Sequence, residues 1–384
     1  MAQLDTNGYY ALGIPAYVLL IASEFYFTRA KGLHAYRFAN SLSNLSGGLG
    51  EVVIGFFLGP LLFALYEFGY DKLALIHWPK DSIIPWILAF FVSDFCYYWY
   101  HRAGHTVSLF WSIHGVHHQS EEFNVTIAMR HPWFSDTYSA LFYIPLPLLG
   151  VTAPQFFVAI SAISFYSLSV HTRIFNRPSL YAFVTPATHI CHHSRNRRYL
   201  GKNLGAMFTL WDRMFGTYVE VDPKDPPLLG TPRGYETHDG AKAQWVFFRD
   251  MSHALKLAKT WPEKFKVVFG RPGWTPPGTQ VERQPPARSD AEMSTGVKAY
   301  ALIQFVVMSS LAVFVFHRSE LMNPWAKALI SGQVLLSLST LGGLLDGRTS
   351  AVRWEVLRVL LLIASLLGLY ARFGAQGLGL GMVS

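Results

Sequence analysis

Cysteine is nearly missing from this chain of 384 residues: Cys96 and Cys191 are the only two. They allow at most one bridge, which excludes a disulfide framework, and they provide no thiolate cluster for an iron–sulfur centre or a structural zinc. Charge is also scarce. Asp, Glu, Lys and Arg make up 15% of the residues, against ~25% in an average soluble domain. With 51% hydrophobic residues and a mean hydropathy of +0.24, the composition excludes a disordered or collagen-like chain. No HExxH zinc-protease signature, no GxGxxG dinucleotide fingerprint and no fixed-period repeat is present.

Long apolar runs take the place of charge. A membrane-spanning helix needs roughly 20 mostly apolar residues. Tyr9 to Phe27, Asn44 to Tyr66 and Ile83 to Tyr100 each carry one charged residue (Glu24, Glu51 and Asp94), and Tyr138 to Val170 carries none. The last run, interrupted by Pro145, Pro147, Gly150 and Pro154, predicts two helices joined near Gly150. Ala299 to Phe316, Pro324 to Leu345 and Trp354 to Ala371 complete a set of about eight apolar helices. The predicted fold is all-α, a multi-pass integral membrane bundle. Residues 1–218 form a membrane catalytic domain, 219–298 a cytoplasmic connector with an amphipathic patch near 242–269, and 299–384 a C-terminal transmembrane bundle.

The net charge of +8 reflects 32 Lys and Arg against 24 Asp and Glu. Arg29, Lys31 and Arg37 follow the first run, and 19 of the basic residues fall within 171–298. By the positive-inside rule this places 28–43 in the cytoplasm. Residues 1–8 carry Asp5 and no Lys or Arg, which predicts no cleaved signal peptide. No retrieval signal is visible in Leu380 to Ser384. Bacterial inner membrane and endoplasmic reticulum both remain open, with a lean toward the bacterial one. Basic and aromatic residues do not form the exposed reader that nucleic acid requires. Arg195, Arg197, Arg198 and Lys202 are read instead as a membrane-surface face or the dock of an acidic electron carrier.

Histidine is the residue in excess. Of fifteen, ten fall between His101 and His193. His101 and His105 are spaced HxxxH; His114, His117 and His118 are spaced HxxHH, as are His189, His192 and His193; His171 stands alone. Residues three and four apart share a helical face, so each cluster is expected to point one way, toward the cytoplasmic side. Nine imidazoles exceed what one ion takes and fit two. Imidazole suits Fe, Zn, Cu and Ni. Cys191, beside two histidines, is expected to face away and pack.

The segments Asp94–His105, His114–Arg130 and His192–Tyr218 carry a resemblance to the fatty acid hydroxylase / sterol desaturase superfamily of membrane oxygenases. The stretches from Ser120 and Glu121 to Arg130 and from Asn196 to Gly216 most resemble its alkylglycerol monooxygenase branch. The resemblance implies a non-haem diiron centre, with His101, His105, His114, His117, His118, His171, His189, His192 and His193 as ligands. It implies an O2-dependent hydroxylase of a lipid: an ether lipid, a fatty acyl chain or a sterol. His131 departs from that branch, where an amide stands, and is left open as a ligand, a supporting residue or a packed one. No reductant domain is fused, so two electrons come from a separate donor, left open between tetrahydrobiopterin and a small electron-transfer protein. Asp94, an ionisable residue in an apolar run two turns before His101, is a candidate support for the ligands. Glu121, Asn124 and Asp212 match the family text as candidate supports or head-group contacts. Trp99, Trp111, Phe123 and Phe165 are candidate walls of the lipid path. Glu51, in a glycine-rich stretch, is a candidate head-group contact, and Glu24 is expected to snorkel from a helix end. The alternatives are a metal-binding or transport protein, which would place ionisable residues at mid-membrane, and a zinc-dependent membrane hydrolase, which would need a placed general base.

Overall fold

A computed structural model describes residues 6–174, 181–232, 234, 237–279, 292–378 and 380, with side chains of the first helix from residue 15 onward. The expectations for the leader and the C-terminal tail, and part of the connector (280–291), lie outside the described residues. The described helices are α1 (Thr6–Ala30), α2 (Phe38–Leu73), α3 (Ile84–Thr106), α4 (Ser108–His114), α5 (Ser135–Ser139), α6 (Pro145–Leu148), α7 (Ala153–Ser169), α8 (Pro186–His192), α9 (Leu210–Met214), α10 (Gly240–Leu257), α11 (Trp261–Phe269), α12 (Thr295–His317), α13 (Pro324–Leu345) and α14 (Ala351–Gly377). Pairing of extended backbone among the described residues is limited to isolated bridges such as Phe183 with Phe208. The all-α membrane-bundle reading holds.

Four of the described helices, α2, α12, α13 and α14, are long and apolar enough to cross a membrane. The uncharged run from Tyr138 behaves differently from expectation. Only its second half forms a long helix, α7; the first half is the short α5 and α6 linked by turns. The reason lies in the backbone. Gly150 sits at φ +76°, and a Cβ there would come within 2.0 Å of the Ile76 carbonyl oxygen. The chain therefore reverses against the segment after α2, which Leu75 N–H to Leu148 O (2.8 Å) and Trp78 Nε1–H to Leu149 O (2.8 Å) fasten in place.

Helix starts follow local chemistry. Thr185 caps α8 by accepting from Thr188 N–H, with Pro186 at the first position. Asp239 caps α10 and Thr260 caps α11 in the same manner. Gly47 and Gly48 do not break α2. A Cβ on Gly48 would meet Met129 Cε at 2.3 Å, so the glycines let the 3₁₀ turn Val125–Met129 lie directly on the helix. The C-terminal helices pack on the rest of the chain: α12 and α13 lie against α2, and α13 against α10. Gly342 touches the Asp239 backbone, where Arg348 pairs with Asp239 (2.8 Å) and Asp346 (2.8 Å).

Candidate metal centre

Nine imidazoles form two adjoining groups. His101, His105, His114, His118 and His192 make one, and His117, His171, His189 and His193 the other; within each, the potential ligand atoms all lie within 4.8 Å of one another. The rings of His118 and His193 stack across the boundary at 4.6 Å. The partition departs from the expected one-face clusters. Pairs four apart stay together (His101 with His105, His114 with His118, His189 with His193), while His117 and His192, three along, cross to the other group. Adjacent helical residues diverge by about 100°, so the neighbours His192 and His193 address different centres. His117 diverges further because α4 ends at His114 and the chain tightens into a 3₁₀ turn at His117–Gln119.

Backbone carbonyls fix the rings. His101 Nδ1 meets Leu204 O at 2.8 Å, His171 Nδ1 meets Ser167 O at 2.8 Å, His192 Nδ1 meets Lys202 O at 2.9 Å and His117 Nδ1 meets Arg130 O at 3.3 Å. A carbonyl only accepts, so each Nδ1 carries the proton and each Nε2 presents a lone pair. Yet Nε2 of His117 faces Nε2 of His171 at 3.3 Å, with neither able to donate to the other. Nε2 pairs also approach at 2.9 Å (His171 and His189) and 3.1 Å (His101 and His114). The Nε2 atoms of His105 and His192 are buried without any partner. A proton is a poor remedy. Burial pushes the pKa of His171 down to about 3 and that of His192 to about 4. Burial and then neighbouring imidazoles hold His114, His117, His118, His189 and His193 well below the usual histidine value. Lone pairs converging at about 3 Å match the edge of a coordination shell with metal–nitrogen bonds of roughly 2.1 Å. The donor set therefore fits a metal ion in each group.

The four expected supporting residues do not touch an imidazole. Asp212, 1% exposed, accepts from Leu204 N–H (2.8 Å), Gly205 N–H (2.8 Å) and Thr217 Oγ1–H (2.7 Å). It holds the loop whose Leu204 carbonyl orients His101. Burial raises its carboxyl pKa against those donors. Asp94 acts on the same loop, accepting from Met207 N–H (3.0 Å) and Trp211 Nε1–H (2.8 Å). Asn124 caps the turn at Val125 and donates to Ala35 O. Glu121 is half-buried and faces Arg195 at 3.7 Å. The carboxylate-to-imidazole contact expected of Asp94 is supplied by backbone carbonyls instead, since the loop 202–212 lies between the acids and the rings.

Other expectations shift as well. Glu24 does not snorkel. It is 1% exposed and accepts from Val125 N–H (2.7 Å), Arg173 N–H (3.3 Å), Tyr36 and Thr172, tying α1 to the loop after His171. Glu51 accepts from His131 Nδ1–H (3.0 Å) and Ser135 Oγ–H (3.0 Å), and His131 belongs to neither metal group. Burial opposes charge on His131, but Glu51 overrides it and raises its pKa. Phe165 is 75% exposed and Trp99 is also exposed, whereas Phe123 is buried 5.4 Å from the His193 ring. Cys191 is buried and packed, its thiol pushed up to about 12 by burial. Arg130 escaped the sequence reading: it is 2% exposed, donating to Val116 O (3.0 Å), Ser43 Oγ (3.0 Å), Asn44 Oδ1 (3.2 Å) and Gln119 Oε1 (2.7 Å) while its own carbonyl holds His117. A basic residue followed by His-Pro gives no signal of burial.

Residues 86–217 match the fatty acid hydroxylase family. They form a fatty acid hydroxylase domain. Most of the chain is similar to alkylglycerol monooxygenases: 29% identical to that of Xenopus tropicalis over 85% of this chain and 75% of the relative, and 28% identical to that of Homo sapiens over 87% and 76%. An ornithine lipid hydroxylase of Rhizobium tropici is 30% identical over 37% of this chain and 43% of the relative. No solved structure matches the chain. The fatty acid hydroxylase domain contains all nine imidazoles of the two groups.

Proposed function

We propose that the chain is a membrane monooxygenase that hydroxylates a C–H bond of a lipid with O2 and two external electrons, using one iron ion in each imidazole group. The observation that carries this reading is the set of Nε2 atoms facing one another at 2.9–3.3 Å, above all the His117–His171 pair, whose two Nδ1 atoms are already committed to carbonyls. The iron pair, when bound, supplies the O2 reduction and C–H oxidation that no side chain performs. His101, His105, His114, His118 and His192 would hold one ion, and His117, His171, His189 and His193 the other. The carbonyls of Leu204, Arg130, Ser167 and Lys202 keep His101, His117, His171 and His192 in the coordinating tautomer, and burial keeps the rings neutral. The lipid enters from the hydrocarbon side, with alkylglycerol-type ether lipids as first candidates and fatty acyl chains or sterols next. The histidine face is cytoplasmic. The electron donor is a separate tetrahydrobiopterin-like molecule or a small protein.

Zinc hydrolysis would need a general base beside a metal-bound water, and Asp94 and Asp212 are engaged by donors of the loop 202–212 while Glu121 faces Arg195. The test is metal analysis of the purified protein together with O2-dependent oxidation of a lipid panel that begins with alkylglycerols. About two irons per chain, with oxidation lost in His118→Ala and His192→Ala, are expected. Zinc without iron after expression in iron-rich medium, or oxidation retained in both variants, overturns the reading.

A further inference from the structure

α11 turns an aromatic stripe away from the protein. Trp261, Phe265 and Phe269 stand four residues apart and so share one helical face; they are 82%, 64% and 51% exposed. The Phe265 and Phe269 rings meet at 4.9 Å. The packed edge is a different one, where Val267 is buried against Ala254 and Ala258 of α10. An exposed aromatic patch of this kind marks a surface that something covers. Its charge says what. From Lys256 to Arg271 the chain carries five basic residues and one acid, Glu263, a net +4. Glu263 is committed to the N–H groups of Lys259 and Thr260 that open the helix. Lys256, Lys259 and Lys266 are exposed, and Lys264 Nζ lies 5.2 Å from the centre of the Trp261 ring.

The fold also sets the level of α11. Trp86, Ile87 and Phe91 are exposed on α3, the apolar helix that ends at Thr106 beside the metal centre. Just past that end, Ser108 N–H donates to Gly270 O at 2.9 Å, which fastens the end of α11 where α3 leaves the apolar region. We propose that α11 is an interfacial anchor: it seats Trp261, Phe265 and Phe269 in the lipid leaflet on the metal-centre side, with the surrounding basic residues on the phosphates of anionic phospholipids. A basic helix with aromatic residues on its apolar face lies in the plane of the interface. Aromatic rings favour that depth, and each basic residue there favours an anionic surface about fivefold. The bilayer is already at this level, whereas a protein partner would have to displace it. The turn after α11 carries Arg271 and Trp274, which together with His105 line a cavity of about 470 Å³ beside the five-imidazole group. The leaflet thereby braces one wall next to the metal centre, whichever metal is bound.

Cys96 and Cys191 are buried, so a bimane label on Phe265→Cys reports on α11 alone. The labelled full-length protein is placed in nanodiscs of phosphatidylcholine, and of phosphatidylcholine and phosphatidylglycerol in equal parts. Quenching by bromines on the lipid tails and by acrylamide in the water reads where the label sits. With phosphatidylglycerol, strong lipid quenching and protection from acrylamide are expected, and both weaken in phosphatidylcholine alone. Lys264→Gln and Lys266→Gln should each lower the ratio of seated to free label in the anionic discs about fivefold. Trp261→Ser combined with Phe269→Ser should return the label to acrylamide and abolish lipid quenching. Acrylamide access without lipid quenching in both discs overturns the anchor. Equal lipid quenching in both discs overturns the anionic partner. Protection from both quenchers places a protein surface on the stripe and overturns the proposal as well. The labelled parent decides among these outcomes whatever the folding of the variants.

Discussion

Asp212→Asn tests whether the metal groups are held from outside by the loop 202–212. The carboxylate accepts three hydrogen bonds, two on Oδ1 from Leu204 N–H and Thr217 Oγ1–H and one on Oδ2 from Gly205 N–H. An amide keeps one acceptor and turns an NH2 toward a donor. One buried N–H is then unsatisfied, at about 1–3 kcal/mol, and the surviving bonds lose their charge assistance. Burial already raises the pKa of Asp212, so removing the charge returns part of that loss, and a net destabilisation of about 2–3 kcal/mol is expected. The damage reaches the metal through one contact, Leu204 O on His101 Nδ1 at 2.8 Å. Loss of such an outer partner costs 10–100-fold in metal affinity. The assay is iron occupancy against chelator concentration, with thermal unfolding in parallel. One iron should leave at about 10–100-fold lower chelator while the other, in the His117, His171, His189 and His193 group, stays. Parental retention of both irons, or equal loss of both, would refute the claim that Asp212 acts through Leu204 on one group.

Glu24→Gln should weaken the other group selectively, since Glu24 anchors the segment just after His171; the readout is the same chelator titration, and loss of the five-imidazole iron instead would contradict it. His105→Ala and His171→Ala should each lower iron content by about one ion per chain, from different groups, as distinguished by Mössbauer spectra. Asp346 sits below the usual carboxylate pKa, because hydrogen bonds from His238 and Thr237 outweigh its burial. A depressed folded-state pKa stabilises above the unfolded value of ~3.9 and is lost as pH falls through the folded value. Asp346→Asn should therefore be less stable than the parent at pH 6, with the gap shrinking as the pH falls below the unfolded value of ~3.9; a gap independent of pH would show that charge is not the cause. Cys191→Ala should leave lipid oxidation and iron content unchanged, and loss of iron would show the thiol to be more than packing.

The histidine pattern was readable because metal ligation demands a residue type and a spacing that apolar packing never requires. The apolar runs were readable because a membrane imposes length and composition. Both signals are local. The assignment of histidines to centres is not, and there the spacing misled: His114 and His117 could share a helical face, but α4 stops at His114, and the tightened turn sends His117 across to His171. Gly115, which caps α4, is the motif's only hint of that stop. The supports were hidden for a related reason. Leu204, Lys202, Ser167 and Arg130 contribute carbonyls, which every residue possesses, so side-chain identity carries no trace of the role. Asp94 was noticed as an unusual acid and Asp212 through its match to the family text, but their work is one step further out, on the loop that presents those carbonyls. Glu24 could have been found, since a carboxylate in an apolar run must either reach water or be paired. The snorkelling reading assumed water. The structure supplies the nearby Tyr36 hydroxyl and, from segments a hundred and more residues away, the Val125 and Arg173 N–H groups and the Thr172 hydroxyl, and so turns an apparent surface charge into a fastening for the His171 loop.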